Sequence, residues 1–302
     1  GKKLSSPQDE PGSGGESQNS IPTGFSVDPA QGIYCMKRAD LDYFRKWFAG
    51  YVTGFRTGDL ARDKTIALKA AHTRRVCREI MMIAKSLDLT GDDLLLAETV
   101  ALFHDVGRFR QYRDYNTFND AESRDHAELG LEELAAHNVL SRCSSREGEL
   151  IRRTIGCHNV RTLRLEKRDE QVRFLAQLLR DADKLYIWRI FVDYYEGRDA
   201  DMDSTVVWRL PNEPRYSSTI TNALLAYKMA DTKYMVTLND FKLLQISWVF
   251  DVNFGSTFHA VRRRGYIEKI AATLPQTEQV TRAVGMANAY LLQKVIDTAD
   301  VR

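Results

Sequence analysis

The sequence predicts an all-α protein, and three observations support this fold class. After residue 34 the chain contains only three prolines, at positions 211, 214 and 275. Long windows repeat apolar residues at intervals of three and four, which is the spacing of one face of a helix. Hydrophobic residues make up 43% of the 302 positions, enough to bury a substantial core.

The first 30 residues differ in composition from the rest. They are rich in Gly, Ser, Pro and Gln and contain almost no large apolar side chain. Such a segment cannot bury enough surface to offset the entropy lost on ordering, so we expect a disordered tail at residues 1–30. We expect residues 31–302 to form a single helical domain, with a core at about residues 60–195 and a C-terminal helical extension at about residues 216–302.

The helices can be predicted in chain order. The first strong one covers residues 61–87, where Ile66, Val76 and Ile80 share one face. Further core helices are predicted at residues 92–104, 125–137, 146–158 and 170–195, with a polar loop across a site at residues 107–125. After a long connection at residues 197–216, helices are expected at residues 218–229, 238–254, 258–274 and 277–298.

Charge and cysteine content narrow the class of protein. Lysine and arginine number 43 against 41 acidic residues, a net charge of +2 that gives no support to electrostatic binding of nucleic acid. The longest apolar stretches fall short of the ~18 residues of a membrane span. Four cysteines form no CxxC pair. We therefore expect a reduced, cytoplasmic protein with neither a membrane nor a nucleic acid as partner.

Polar side chains stand on faces that should be apolar. His72 lies four residues before Val76 on the buried face of the first helix. Asp183 falls within an apolar stripe of the helix at residues 170–195. An unpaired carboxylate buried there would cost several kcal/mol, so Asp183 must have a partner.

Four more such residues complete an ordered set. His104 and His158 end the inner faces of their helices, Asp105 follows His104, and His126 opens a helix. Each alone has an ordinary explanation, such as a backbone carbonyl for a buried histidine. Together, four imidazoles and two carboxylates on successive helices match the ligands of first-row divalent metals. We therefore predict a site for one or two divalent transition-metal ions, such as Mn, Fe, Zn or Ni.

This order resembles the HD superfamily of metal-dependent phosphohydrolases, which has an early His, a His-Asp doublet at a helix end and a late Asp on a long helix. The doublet stands in Ala-Leu-Phe-His-Asp-Val-Gly-Arg at residues 101–108, and the late aspartate in Arg-Asp-Ala-Asp-Lys-Leu at residues 180–185. The resemblance covers about residues 60–195 and selects Asp183 rather than Asp181. It implies that His72, His104, Asp105 and Asp183 hold a first ion, and that Asp105 bridges to a second ion held by His126 and His158.

Departures from known branches leave the substrate open. Val-Gly-Arg follows the doublet, in place of the Glu-Asp of guanosine tetraphosphate hydrolases. The Gly-His run of deoxynucleotide triphosphohydrolases and the Gly-Tyr-Pro motif of cyclic-di-guanylate phosphodiesterases are absent. What remains resembles the many generic bacterial HD proteins, whose substrates the motif does not fix.

The resemblance implies that a metal-activated water cleaves a phosphomonoester or phosphodiester of a nucleotide or small metabolite. Asp105, Lys69 and Arg108 are the candidate catalytic residues, and Lys69, Arg108 and Lys184 are candidate contacts to the phosphorylated substrate. These cations could instead be solvated surface charges, and Lys184 could pair with Asp181 or Asp183. We expect the polar loop at residues 108–124 and the C-terminal helices to close the pocket.

Two other classes remain open from the sequence. HD-type mixed-valence di-iron oxygenases use the same set of histidines and aspartates. A regulatory module could bind metal and a nucleotide without turnover. The sequence indicates neither the native metal nor the oligomeric state.

Overall fold

The computed structural model describes residues 36–198 and 210–299; the predicted tail at residues 1–30 lies outside them. The described residues form helices, short 3₁₀ turns and connections, with no strand. The all-α fold class is therefore confirmed. The helices are α1 (Arg38–Thr53), α2 (Leu60–Ser86), α3 (Gly91–Phe103), α4 (Gly107–Tyr115), α5 (His126–Ala136), α6 (Ser145–Cys157), α7 (Glu170–Tyr195), α8 (Ser218–Leu225), α9 (Leu238–Ser247), α10 (Gly255–Arg264), α11 (Tyr266–Ala271) and α12 (Glu278–Ala299).

The core is built around two long helices, α2 and α7, which pack directly on each other. Apolar residues at helical spacing face this contact, and Val76, Ile80, Leu175 and Leu179 are fully buried. Helix α3 packs on α2, and α6 packs on α7 and α5. The predicted helices at residues 61–87, 92–104, 125–137, 146–158 and 170–195 agree with these core elements to within two residues at each end.

Helix α1 was missing from the helices predicted in chain order, which began at residue 61. Its buried residues Leu41, Phe44, Phe48 and Val52 recur at helical spacing. The ring of Phe44 meets Phe103 of α3 edge to face, with centroids 5.4 Å apart. Helix α1 therefore covers the outer side of α3.

The prediction of a loop at residues 107–125 was wrong for its first half, since Gly107–Tyr115 is helix α4. This helix is short and mostly polar, so it lacks a readable apolar period. The prediction of one helix at residues 258–274 was also wrong. Gly265 has a φ of +65°, a left-handed conformation that glycine adopts without strain, and it separates α10 from α11.

Two further C-terminal helices are shorter than predicted. Helix α8 ends at Leu225 rather than at residue 229, and α9 ends at Ser247, where a 3₁₀ turn takes over. The C-terminal helices pack on the core, because α10 and α11 contact α7. Arg264 also forms a two-point ion pair with Glu79 of α2 at 2.9 Å for each bond. A single domain over residues 31–302 stays a prediction.

Among the described helices, none combines the length and the apolar character that crossing a membrane requires.

Candidate metal centre

The facing helices α2 and α7 bring His72 and Asp183 together. His72 Nε2 lies 3.2 Å from Asp183 Oδ1, so the two polar groups face each other, although neither of these atoms has a hydrogen-bond partner. The His72 ring also lies 5.2 Å from the ring of Tyr186, centroid to centroid, one turn along α7. Both predicted ligands are therefore fixed by the α2–α7 contact.

The His-Asp doublet lies where α3 ends. His104 is fully buried, and its Nδ1 pairs with the carbonyl oxygen of Ala101 at 2.8 Å. This contact turns Nε2 toward the site, 3.2 Å from Asp105 Oδ2 and 3.9 Å from Asp183 Oδ1. Since His72 Nε2 is also 3.2 Å from Asp105 Oδ2, one oxygen of Asp105 faces both of these histidines.

The other oxygen of Asp105 faces a second group. His126 is the first residue of α5, whose N-cap Asp125 accepts hydrogen bonds from the backbone N–H of Ala127 and Glu128. His126 Nε2 lies 3.4 Å from Asp105 Oδ1 and 3.1 Å from His158 Nε2. Asp105 therefore lies between two sets of nitrogen donors.

A close helix contact sets the position of His126. A Cβ atom added at Gly107 of α4 would lie 2.1 Å from the carbonyl oxygen of His126 and 2.4 Å from the nitrogen of Gly130. Both obstacles are backbone atoms, so only glycine permits α4 and α5 to approach this closely. The approach brings the start of α5 against Asp105, two residues before Gly107.

The arrangement of donors fits divalent cations. His104 Nδ1 and His158 Nδ1 each lie within 2.8 Å of a backbone carbonyl, which fixes the proton on Nδ1 and leaves an Nε2 lone pair facing the site. His126 Nδ1 pairs in the same way with Asp120 Oδ2 at 2.8 Å. Two Nε2 lone pairs then face each other at 3.1 Å between His126 and His158, a repulsion that a shared cation removes.

Unpaired buried atoms give independent support for the same fit. His72 Nε2, His104 Nε2 and Asp183 Oδ1 are buried without a hydrogen-bond partner, which native proteins rarely tolerate. Imidazole nitrogen and carboxylate oxygen suit first-row divalent ions. The donor atoms form two sets within which all lie inside 4.8 Å of one another, His72 with His104 and Asp183, and Asp105 with His126 and His158. All six predicted ligands therefore meet in one cluster, and their role as ligands stays a prediction.

The protonation states of three of these groups agree with metal binding. Burial, together with His126 and His104, lowers the pKa of His158 to about 3, which keeps this imidazole neutral. Burial would raise the pKa of Asp105, but His104 and Lys69 more than offset it and hold that pKa well below its usual range. Burial and the charge of Arg108 lower the pKa of His126. Neutral imidazoles around an ionised carboxylate are the forms that bind metal.

The pKa of His104 shifts in the opposite direction from those of His126 and His158. Burial would lower the pKa of His104, but the carboxylates of Asp105 and Asp183 more than offset it and raise that pKa. The same two carboxylates that attract a proton to His104 would attract a divalent cation in its place.

Two of the positively charged side chains predicted to contact substrate, Lys69 and Arg108, flank Asp105. The ammonium of Lys69 forms an ion pair with Asp105 Oδ2 and lies 5.9 Å above the ring of Phe118. Arg108 Nε lies 3.5 Å from Asp105 Oδ1, while its Nη1 donates to Asp120 at 2.7 Å. Both side chains reach the cluster rather than bulk solvent.

Lys184 takes a different partner from those considered in the sequence. Its Nζ pairs with Asp251 Oδ2 at 2.7 Å, and neither Asp181 nor Asp183 takes that role. Asp181 instead accepts hydrogen bonds from the backbone N–H of Asn253 at 3.0 Å and of Phe254 at 3.1 Å. Asp181 therefore anchors the C-terminal part of the chain, and Asp183 alone of the pair faces the metal centre.

Asp120 is a residue of the site that the sequence analysis missed. One of its oxygens pairs with His126 Nδ1, and the other accepts from Arg108 and from Gln111 Nε2, the latter at 2.8 Å. These bonds fix the orientation of the His126 ring. The only signal in the sequence was an acidic residue six positions before His126, within the predicted loop.

A cavity of about 310 Å³ adjoins the cluster at Asp183 and His158. One wall comes from α7 and the chain after α6, and the other from residues 229–232, Leu244 and Trp248. The C-terminal part of the chain thus lines the cavity, as expected. None of the lining residues belongs to residues 108–124, so the expected contribution of that loop does not appear here.

A helical core that brings four histidines and two aspartates into one cluster defines a candidate metal-binding protein. Residues 70–187 match the family model of the HD domain. The chain therefore contains a segment that matches the HD domain, at the residues where its His-Asp doublet indicated that resemblance. No curated protein and no solved structure matched the chain.

Proposed function

We propose that this protein is a metal-dependent phosphohydrolase that cleaves a phosphomonoester or phosphodiester of a nucleotide or small metabolite. The observation that carries the proposal is the position of Asp105. Its Oδ2 lies 3.2 Å from both His72 Nε2 and His104 Nε2, and its Oδ1 lies 3.4 Å from His126 Nε2. A carboxylate with one oxygen toward each donor set suits a bridge between two cations.

The chemistry of phosphate esters matches this arrangement. Bound divalent cations supply an activated water molecule and positive charge against the phosphate oxygens. The protein adds Lys69 and Arg108, whose charges converge on Asp105 from two sides. If cations are bound at Asp105, the ammonium of Lys69 and the guanidinium of Arg108 would supply further positive charge toward phosphate oxygens. Burial of the cluster strengthens each of these electrostatic contacts.

The test compares metal content and phosphate release in matched variants. Protein purified without added metal is analysed for bound ions, then loaded with manganese, iron, zinc or nickel and screened against phosphate esters. We expect wild type to bind metal and release phosphate, and His104→Ala to lose most bound metal and nearly all turnover. His137→Ala is the control, because His137 is half exposed at the end of α5 and lies outside the cluster.

Three results would contradict the proposal. His104→Ala with full metal content and turnover would reject the site. Iron-dependent oxygen consumption without phosphate release would favour the oxygenase class. Binding of metal and nucleotide without turnover would favour a regulatory module.

A further inference from the structure

One face of α7 forms the floor of the cavity beside the metal centre. Arg180, Asp183, Lys184 and Ile187 all line it, and their spacing of three, four and seven residues places them on one stripe. The stripe changes from charged to apolar along the helix. With a rise of 1.5 Å per residue, Ile187 stands about 6 Å beyond Asp183.

The charged end is already partly neutralised. Arg180 donates to the carbonyl oxygen of His158 at 3.1 Å and to Asp251 at 2.6 Å, so it serves the local structure. Lys184 pairs with the same Asp251 carboxylate, and an ammonium has three N–H donors. Two positively charged side chains share the Asp251 carboxylate, and the Asp183 carboxylate lies on the same stripe, so the charges at this end of the cavity balance.

The apolar end is closed by the C-terminal part of the chain. Met229, Leu244 and Trp248 line the cavity together with Ile187. The Trp248 ring is supported by the buried ring of Trp188, with centroids 5.8 Å apart. The cavity therefore presents a planar aromatic side chain, together with aliphatic and polar ones, in the same pocket as Asp183.

We infer that this cavity binds the organic part of the substrate and selects phosphate esters that carry a planar apolar ring close to the phosphate. The inference rests on the proposed function, since the metal centre must hold the phosphate for the ring to reach Trp248. The volume of about 310 Å³ lies at the lower end of the range of roughly 300–1,000 Å³ for small-molecule pockets. A single ring system therefore fits.

Two esters with the same type of leaving group test this inference. 2-Phenylethyl phosphate and ethyl phosphate both release a primary alcohol and differ only in the ring. We expect wild type to favour the phenylethyl ester at least tenfold in kcat/KM. Trp248→Leu should remove most of this preference and leave metal content unchanged.

Two further variants keep the test decisive. Trp47→Leu is the matched control, because Trp47 is also partly buried but packs on Tyr51 and Phe103, away from the cavity; it should keep the preference. Met229→Gln changes a lining side chain in an irregular segment, where folding is least at risk, and should lower the preference at least threefold.

Binding of the corresponding phosphonates, measured by calorimetry, separates the inference from the proposed function, because their carbon–phosphorus bond is not hydrolysed. Tighter binding of 2-phenylethylphosphonate than of ethylphosphonate, lost in Trp248→Leu, supports the inference even if neither ester is cleaved. Phosphate release without ring preference in turnover or binding would overturn the inference and leave the proposed function intact. An unchanged preference in both Trp248→Leu and Met229→Gln would overturn it as well.

Discussion

Replacing Asp120 by asparagine should weaken metal binding without touching a predicted ligand. One oxygen of Asp120 pairs with His126 Nδ1, and the other accepts from Arg108 and Gln111. An asparagine must present its NH₂ group on one of these two sides. Either orientation sets donor against donor, so the support of the His126 ring or the contact with Arg108 is lost.

The size of the effect follows from the role of such groups. Removing the hydrogen-bond partner of a ligand histidine typically lowers metal affinity 10- to 100-fold, which corresponds to about 1.4–2.7 kcal/mol of binding free energy. Metal affinity should fall mainly at the donor set of Asp105, His126 and His158. The set of His72, His104 and Asp183 should change much less, because Asp120 contacts none of its members.

The assay is a competition titration of manganese or zinc against a chelator, for wild type, Asp120→Asn and Asp114→Asn. Asp114 is a matched control, since its side chain is 32% exposed against 33% for Asp120 and it pairs with Arg110 and Arg113 away from the cluster. Equal weakening in both variants, or wild-type affinity in Asp120→Asn, would refute the role assigned to Asp120.

Two further predictions concern stability. Gly107→Ala should destabilise the fold by about 3 kcal/mol, because its Cβ would lie 2.1 Å from a backbone oxygen. The control Gly50→Ala, in the open interior of α1, should stabilise the fold by about 0.5–1 kcal/mol. Similar denaturant midpoints for the two variants would reject the close contact of α4 and α5. Burial would raise the pKa of Asp251, but Lys184 and Arg180 hold that pKa below its usual value. The carboxylate therefore stabilises the fold at pH values above its unfolded pKa of about 4. This stabilisation is lost as the pH falls through the lowered pKa of the folded state. Asp251→Asn should therefore lower the free energy of unfolding by about 2 kcal/mol at pH 7, between the values for exposed and buried ion pairs. Below about pH 4 the variant should lose less stability with falling pH than wild type does. Unfolding curves with the wild-type pH dependence would show that the ion pair is not coupled to folding.

The sequence was most informative where a polar residue interrupted an apolar stripe. His72 and Asp183 stood on buried faces of long helices, and helical periodicity alone was enough to place them there. Because burying charge is costly, the interruption itself indicated that the two groups had partners. Order along the chain then grouped them with His104, His126 and His158, and the structure brings all of them into one cluster.

Features that depend on close contact between elements could not be predicted in this way. The role of Asp120 depends on the conformation of the segment after α4, and no repeat in the sequence predicts that conformation. The part that Trp248 plays in the cavity depends on how α9 packs on α7. In the sequence, Gly107 indicated only the start of a loop. The structure requires a glycine there because the backbones of α4 and α5 lie very close together.

The most direct test of a two-ion centre is the number of metal ions bound per chain. Wild type, His126→Ala and His158→Ala are loaded with metal, freed of excess and analysed for metal and protein. We predict about two ions in wild type and about one in each variant, with His72, His104, Asp105 and Asp183 still occupied and the fold retained. One ion per chain in all three proteins would contradict the bridging role of Asp105, even if both variants lost activity.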